Sequence, residues 1–289
     1  MSKPITSVAV VGGGFMGAGI AETAAFAGMP VVVRVRERPE SVDAARQRLE
    51  SSLDRAVKRG KRDAADRDAA LARITLTSEL KDVASADLVI EAVLENVELK
   101  TSIMHALGGI VADDAVIASS TSSIPITELA SAVHNPDRVV GLHFFSPVPV
   151  MGLVEIVRAL NTSDETVEKA RTFVERLGKR VIETKDRGGF LVNRLLIPYL
   201  MAAVRLYEEN FASREDIDES MKLGCGYPMG PLAVCDLVGL DVLYAACDFI
   251  YKESKRDEYA PRPVMKRMIA AGRLGRKSGR GFYEYAAPV

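Results

Sequence analysis

The chain has 289 residues, 48% hydrophobic and 27% charged, with a formal net charge of -1. That length suits two globular domains, and the balanced charge supplies no global basic field to hold nucleic acid. No run approaches the ~20 apolar residues of a membrane helix, so no membrane partner is expected.

The N-terminal segment has no basic stretch leading into a long apolar run, so no secretory signal is expected and a cytoplasmic location is the reading. Val8–Val11 reads as a buried strand and leads into Gly12-Gly13-Gly14-Phe15-Met16-Gly17. This is G-x-G-x-x-G between a strand and a helix of small residues. Gly12 permits the tight turn, Gly14 lets the backbone approach a pyrophosphate, and Gly17 lets the helix pack close to the sheet. The helix N-terminus offers free N–H groups to phosphate. Phe15 and Met16 complete the candidate dinucleotide loop.

The second strand is Val31–Val35, and Val35 stands where an acidic residue would bind the ribose hydroxyls of NAD. Arg34, Arg36 and Arg38 surround it, and guanidinium matches phosphate geometry. NAD and NADP therefore both remain open as cofactor. Residues 39–73 are strongly charged and helix-like, with Gly60 in the middle. They read as a helical hairpin turning near Arg59–Lys61, either a solvated face or a flap that meets substrate.

Leu88–Ala92, Val116–Ala118 and Val139–Leu142 continue the series of apolar strands. Near-continuous apolar runs separated by helical stretches imply a doubly wound, mostly parallel sheet of Rossmann type. After Arg187 the pattern turns helical, with an apolar helix over Leu191–Tyr207 and a shorter one over Arg214–Leu223, capped by Ser213 and stopped by Gly224. The expected domains are 1–187, dinucleotide-binding, and 188–289, a helical substrate and dimerisation domain. Cys225, Cys235 and Cys247 are odd in number and lack C-x-x-C spacing, which predicts free thiols rather than a zinc site or a disulfide framework.

Three segments carry candidate chemistry. Ser119–Ser123 follows a buried strand, where ligands sit in open α/β sheets. His143 lies in Gly141–Pro147, with Glu155 twelve residues on, in an apolar run beside it. Asn193 lies in Gly189–Arg194, at the start of the first C-terminal helix. A strand-end histidine near a glutamate is either a base with its orienter or a satisfied structural pair. The other histidines, His105 and His134, read as structural or solvated. The turn Tyr227–Pro231 reads as a rigid connection or as part of an acyl pocket, and 276–281 as a terminal turn or an anion site.

In this order, the glycine loop, Val89–Asn96, the serine segment, the His143-Phe144-Phe145 block, Gly189–Arg194, Gly226–Pro231 and Leu274–Tyr283 resemble the L-3-hydroxyacyl-CoA dehydrogenase family, especially its short 3-hydroxybutyryl-CoA dehydrogenase branch. The resemblance spans essentially the whole chain. It implies hydride exchange between an L-3-hydroxyacyl-CoA and a nicotinamide dinucleotide, with His143 as general base and Glu155 orienting it. It implies that Ser122 and Asn193 hydrogen-bond substrate oxygens, and that Glu95, Lys100, Ser122 and Ser146 lie at the nicotinamide end. Ser52 and Arg59 fall where the family meets coenzyme A. A homodimer is implied, formed through the apolar C-terminal helices. Ser120 and Ser146 stand where the family carries asparagine, and serine has shorter reach and fewer hydrogen-bonding groups. Two readings outside the main one stay open: the same fold acting on a non-CoA substrate, and a non-catalytic binding protein.

Overall fold

Short, β-branched, apolar segments are stable as strands only when both faces are covered, and the first half of the chain supplies helices for both faces. The computed structural model describes residues 3–286. The chain divides into two compact units, Met1–Arg187 and Gly188–Val289.

In the first unit the elements run β1 (Val8–Val11), α1 (Phe15–Phe26), β2 (Val31–Arg34), α2 (Pro39–Lys58), α3 (Ala64–Ala72), β3 (Ile74–Thr77), β4 (Leu88–Glu91), α4 (Val97–Ile110), β5 (Val116–Ser119), α5 (Ile126–Ala130), β6 (Val139–Phe144), β7 (Leu153–Arg158), α6 (Asp164–Arg176) and β8 (Arg180–Lys185). They build one eight-stranded sheet in the order β3-β2-β1-β4-β5-β6-β7-β8. Every neighbouring pair is parallel except β6 and β7, which are antiparallel. The sheet is the expected doubly wound, Rossmann-type layer.

Strands β1, β4, β5 and β6 are buried along their whole length. The two edge strands escaped the sequence reading for a physical reason. Strand β3 is only partly buried, and β8 reads Arg-Val-Ile-Glu-Thr-Lys with no fully buried residue, so neither makes a continuous apolar run. Helices α2 and α3 form the charged hairpin, and Arg59 is the C-cap of α2. No helix among the described residues is long and apolar enough to cross a membrane.

The second unit is helical: α7 (Val192–Glu208), α8 (Arg214–Cys225), α9 (Pro231–Val238), α10 (Leu240–Ser254) and α11 (Pro263–Ala270). Ser213 caps α8, as expected, by accepting the Asp216 N–H. The expected stop at Gly224 is corrected. Gly224 is helical, and the helix ends at Gly226, which takes the left-handed conformation at φ 71°. A glycine does not stop a helix by its presence; the one that adopts positive φ does. Pro198 is accommodated within α7. The three cysteines are free, with Cys235 and Cys247 buried and Cys225 exposed.

Two buried carboxylates organise this unit. Asp218 accepts from Leu232 N at 2.8 Å and Ala233 N at 3.0 Å, tying α8 to the start of α9. Asp236 accepts from Phe282 N and Tyr283 N, each at 2.9 Å, and from the Tyr285 hydroxyl at 2.9 Å. The Leu274–Tyr283 motif is therefore a structural tie, which is what its glycines serve. A Cβ on Gly281 would lie 2.0 Å from Asp236 Oδ1, and one on Gly230 2.2 Å from Asp218.

In the first unit Asp87 plays the corresponding part at the entry to the sheet. It accepts from the backbone and hydroxyl of both Thr6 and Ser7 and pairs with Lys3 at 2.8 Å. Burial pushes its carboxyl upward, but Lys3 and these donors outweigh it and hold the group well below the usual carboxylate range. A depressed folded-state pKa contributes stability above the unfolded value, and that contribution is lost as pH falls. Asp87→Asn should therefore lower the unfolding free energy by about 1–3 kcal/mol at pH 7. The difference from wild type should shrink below about pH 4, as read by urea unfolding at both pH values.

Candidate active site

The glycine loop opens from β1. Gly12 has φ +126°, a conformation that L side chains rarely adopt, and a Cβ on Gly17 would fall 1.8 Å from the Gly12 carbonyl oxygen. Gly14 is different: nothing lies within 4 Å of where its Cβ would be. It is the N-cap of α1 and no side chain caps that end. The loop is tight where backbone meets backbone and open where the first-turn N–H groups point, which fits a pyrophosphate. Phe15 is 60% exposed beside this opening, and Met16 packs partly into the core.

At the end of β2, Val35 is buried and lies under the loop, where a Cβ on Gly13 would come 2.5 Å from its Cγ1. Arg36 is exposed. Arg48, which the sequence reading passed over, reaches back from α2 to donate to the Gly13 carbonyl at 3.3 Å. Arg34 faces elsewhere, donating to Ser78 O at 3.1 Å.

Strand β4 ends at Glu91, which is fully buried. Its Oε1 accepts from Lys100 Nζ at 2.8 Å and Val93 N at 2.6 Å. Its Oε2 accepts from Lys100 Nζ at 2.9 Å and Ser119 Oγ at 2.6 Å. Lys100 also reaches Val93 O at 3.3 Å and Glu95 Oε2 at 3.4 Å, and its side chain is 1% exposed. Lys100 therefore acts on its surroundings through Glu91 and Glu95. Glu91 was read only as part of a motif; a carboxylate ending a buried strand with a lysine nine residues on is the signal that marks the pair.

Glu95 in turn builds the serine turn. Its Oε1 accepts from Thr121 Oγ1 at 2.6 Å, Ser122 N at 3.1 Å, Ser123 N at 3.2 Å and Ser123 Oγ at 2.8 Å. Ser122 Oγ lies 3.5 Å away, on the same carboxylate. Desolvation pushes the Glu95 carboxyl upward, but Lys100 and these donors hold it below the usual carboxylate range. The Ser120 hydroxyl is buried with no hydrogen-bond partner among the described residues, an orphan at the end of β5 that a bound polar group would satisfy.

His143 and Glu155 face each other across β6 and β7, directly paired in the antiparallel register. Nδ1 of His143 lies 2.6 Å from Glu155 Oε2. The histidine is 5% and the glutamate 0% exposed. The Phe145 ring packs against the imidazole with centroids 4.5 Å apart. Ser146 is exposed at the start of the connecting loop. Ser52 is half-buried on α2, and Arg59 is exposed at its end. In the second unit, Asn193 is half-buried in the first turn of α7.

The sequence profile of the 3-hydroxyacyl-CoA dehydrogenase NAD-binding domain matches residues 7–187, and that of the same family's C-terminal domain matches 189–285. The chain belongs to the 3-hydroxyacyl-CoA dehydrogenase family. A Mycobacterium tuberculosis 3-hydroxybutyryl-CoA dehydrogenase is 49% identical over 288 residues, covering 99% of this chain and 100% of the relative. The crystal structure of M. tuberculosis FadB2 superposes with a TM-score of 0.96 at 48% identity, covering 98% of this chain and 100% of that one. The (S)-3-hydroxybutyryl-CoA dehydrogenase PaaH1 of Ralstonia eutropha superposes at 0.92 and 45% identity, covering 98% and 99%. The family sets the reaction class: an NAD-dependent oxidoreductase interconverting 3-hydroxyacyl-CoA and 3-oxoacyl-CoA.

The Glu91–Lys100 ion pair is buried at both partners. Removing one partner of a buried pair leaves an uncompensated charge, so Lys100→Met should lower stability by about 3–5 kcal/mol. Replacing both, as Glu91→Leu with Lys100→Met, should recover most of that loss. Denaturant unfolding of the two single variants and the double variant measures the coupling directly.

Proposed function

We propose that the chain reversibly oxidises a short-chain L-3-hydroxyacyl-CoA, 3-hydroxybutyryl-CoA being the natural candidate, with His143 as the general base. The observation that carries this reading is the buried 2.6 Å contact between His143 Nδ1 and Glu155 Oε2. An ionised carboxylate only accepts hydrogen bonds, so Nδ1 carries the proton and Nε2 keeps its lone pair. Nε2 takes the proton of the C3 hydroxyl, and Glu155 stabilises the imidazolium that forms. The dinucleotide, when bound, supplies the hydride acceptor at the nicotinamide ring.

The remaining residues bind and orient. Gly12, Gly14, Phe15, Met16 and Gly17 form the pyrophosphate loop. Ser122, held by Glu95, presents its hydroxyl to the substrate or the nicotinamide, and Asn193 hydrogen-bonds a substrate oxygen. Ser146 and the unpaired Ser120 hydroxyl border the nicotinamide. Lys100 serves by fixing Glu91 and Glu95. Ser52 and Arg59 meet the coenzyme A moiety, where a basic residue suits phosphate. The second unit exposes Leu195, Phe211 and Leu223 at 70%, 76% and 81%; large exposed apolar side chains of this kind support a homodimer. A cytoplasmic location accords with the three free cysteines.

NADP is used at least as readily as NAD in this reading. The ribose-binding acid is replaced by buried Val35, while Arg36 is exposed and Arg48 is anchored at Gly13. Two guanidiniums that make no ion pair with a carboxylate among the described residues suit a 2′-phosphate. Steady-state kcat/KM with each dinucleotide checks this. Equal or better use of NADP is expected, and a strong preference for NAD contradicts it.

His143→Ala should lower turnover by about 100- to 10,000-fold, the share that general-base catalysis contributes. Dinucleotide affinity should stay near wild type. Acetoacetyl-CoA reduction followed by absorbance, with fluorescence titration of the reduced cofactor, measures both. Activity within a few-fold of wild type removes His143 from the role.

A further inference from the structure

Lys179 is a buried cation outside the machinery described so far. Helix α6 ends at Arg176 with Leu177 as its C-cap, Gly178 turns the chain at φ +72°, and Lys179 points inward just before β8. It is 8% exposed, and among the described residues its ammonium donates to backbone carbonyls rather than to a carboxylate. Burial pushes its ammonium down from the usual lysine range. A buried charge without a counter-ion costs stability, and a methionine would fill similar volume without that cost.

What the ammonium holds is a loop. Nζ donates to Val148 O at 2.6 Å and to Met151 O at 2.7 Å. Between them, the Val150 and Met151 N–H groups bond to Pro147 O at 2.9 and 3.0 Å. This turn joins β6, which carries His143, to β7, which carries Glu155, and Ser146 immediately precedes it. Its inner side chain, Val148, is 2% exposed and rests on the cofactor helix: a Cβ on Gly19 of α1 would lie 3.0 Å from Val148 Cβ. Lys179 therefore ties the start of β8 to the hairpin of the catalytic pair, and through Val148 that hairpin rests on the helix behind the glycine loop.

We propose that Lys179 is a positioning residue for hydride transfer, clamping the 147–151 turn against α1 so that Ser146 and the His143 imidazole are held at a fixed offset from the dinucleotide loop. The inference rests on the His143 reading above. It adds a residue that touches neither substrate nor cofactor yet sets their relative placement. Displacements of about 1 Å near a reacting centre cost on the order of 100-fold in rate.

The test is steady-state kinetics of the full-length Lys179→Met protein with acetoacetyl-CoA and reduced dinucleotide, per folded molecule, below its unfolding temperature. Lys179→Arg and His143→Ala are run in parallel. In the methionine variant, kcat should fall and the dinucleotide KM should rise, each by about 10-fold or more, with the acyl-CoA KM little changed. A raised deuterium isotope effect on kcat should accompany this. Lys179→Arg, which keeps a charged donor, should recover most of both losses. A lowered unfolding midpoint with wild-type kcat and dinucleotide KM would mean that Lys179 only stabilises the fold, and would overturn the proposal. So would equal losses in the arginine and methionine variants. Should the methionine variant not fold, Lys179→Gln, which retains two N–H donors on a shorter stem, is read by the same two constants. Failure of the underlying reading is separately visible, as activity retained by His143→Ala.

Discussion

The site depends on a carboxylate and an imidazole held in contact away from water. A charge-assisted hydrogen bond of this kind is stronger than a neutral one, and burial removes the solvent that would compete for both partners. The pairing is a matter of register. Because β6 and β7 run antiparallel, His143 and Glu155 stand directly opposite each other on one face of the sheet. A slip of one residue would turn Glu155 to the other face. The register is guarded on both sides, by apolar neighbours Leu142, Phe144, Val154 and Ile156, all buried, and by β8 in continuous parallel pairing with β7.

The same economy appears at the end of β4 and β5. Glu91, Lys100 and Ser119 form one buried network at the strand ends, with Val93 and Glu95 completing it. Their reward is placement rather than stability, since an apolar substitute for a buried ion pair is often no less stable. The lysine fixes Glu95, and Glu95 collects the N–H groups of the serine turn. Ser122 thus acquires a defined position through two carboxylates that need not touch substrate. Functional side chains on loops gain their precision from supports of this type.

Much of this was legible in the amino-acid sequence. The apolar runs at Val8, Val31, Leu88, Val116 and Val139 announced a parallel sheet, and the glycine spacing announced the loop after β1. The His143 block and its glutamate read as a base with its orienter only through the family resemblance, because a strand-end histidine near a glutamate is equally a structural pair. The omissions share a cause. Edge strands β3 and β8 do not bury both faces, so they leave no continuous apolar signature. Gly224 and Gly226 are indistinguishable as letters, and only the backbone angle separates a helix interior from its end. Lys179 and Arg48 are long cations whose partners lie on other elements, and charge composition describes a solvated surface equally well. The meaning of Leu274–Tyr283 was likewise hidden, because the group it serves, Asp236, is distant in sequence.

The proposed chemistry turns on which ring nitrogen of His143 holds its proton. Nitrogen-15 NMR of histidine-labelled protein at neutral pH, with His143 assigned by its loss in the His143→Ala spectrum, reports the tautomer of each neutral imidazole. The expected spectrum places the His143 proton on Nδ1, toward Glu155, and leaves Nε2 unprotonated. A neutral His143 protonated on Nε2 would have no lone pair for the substrate hydroxyl and would contradict it.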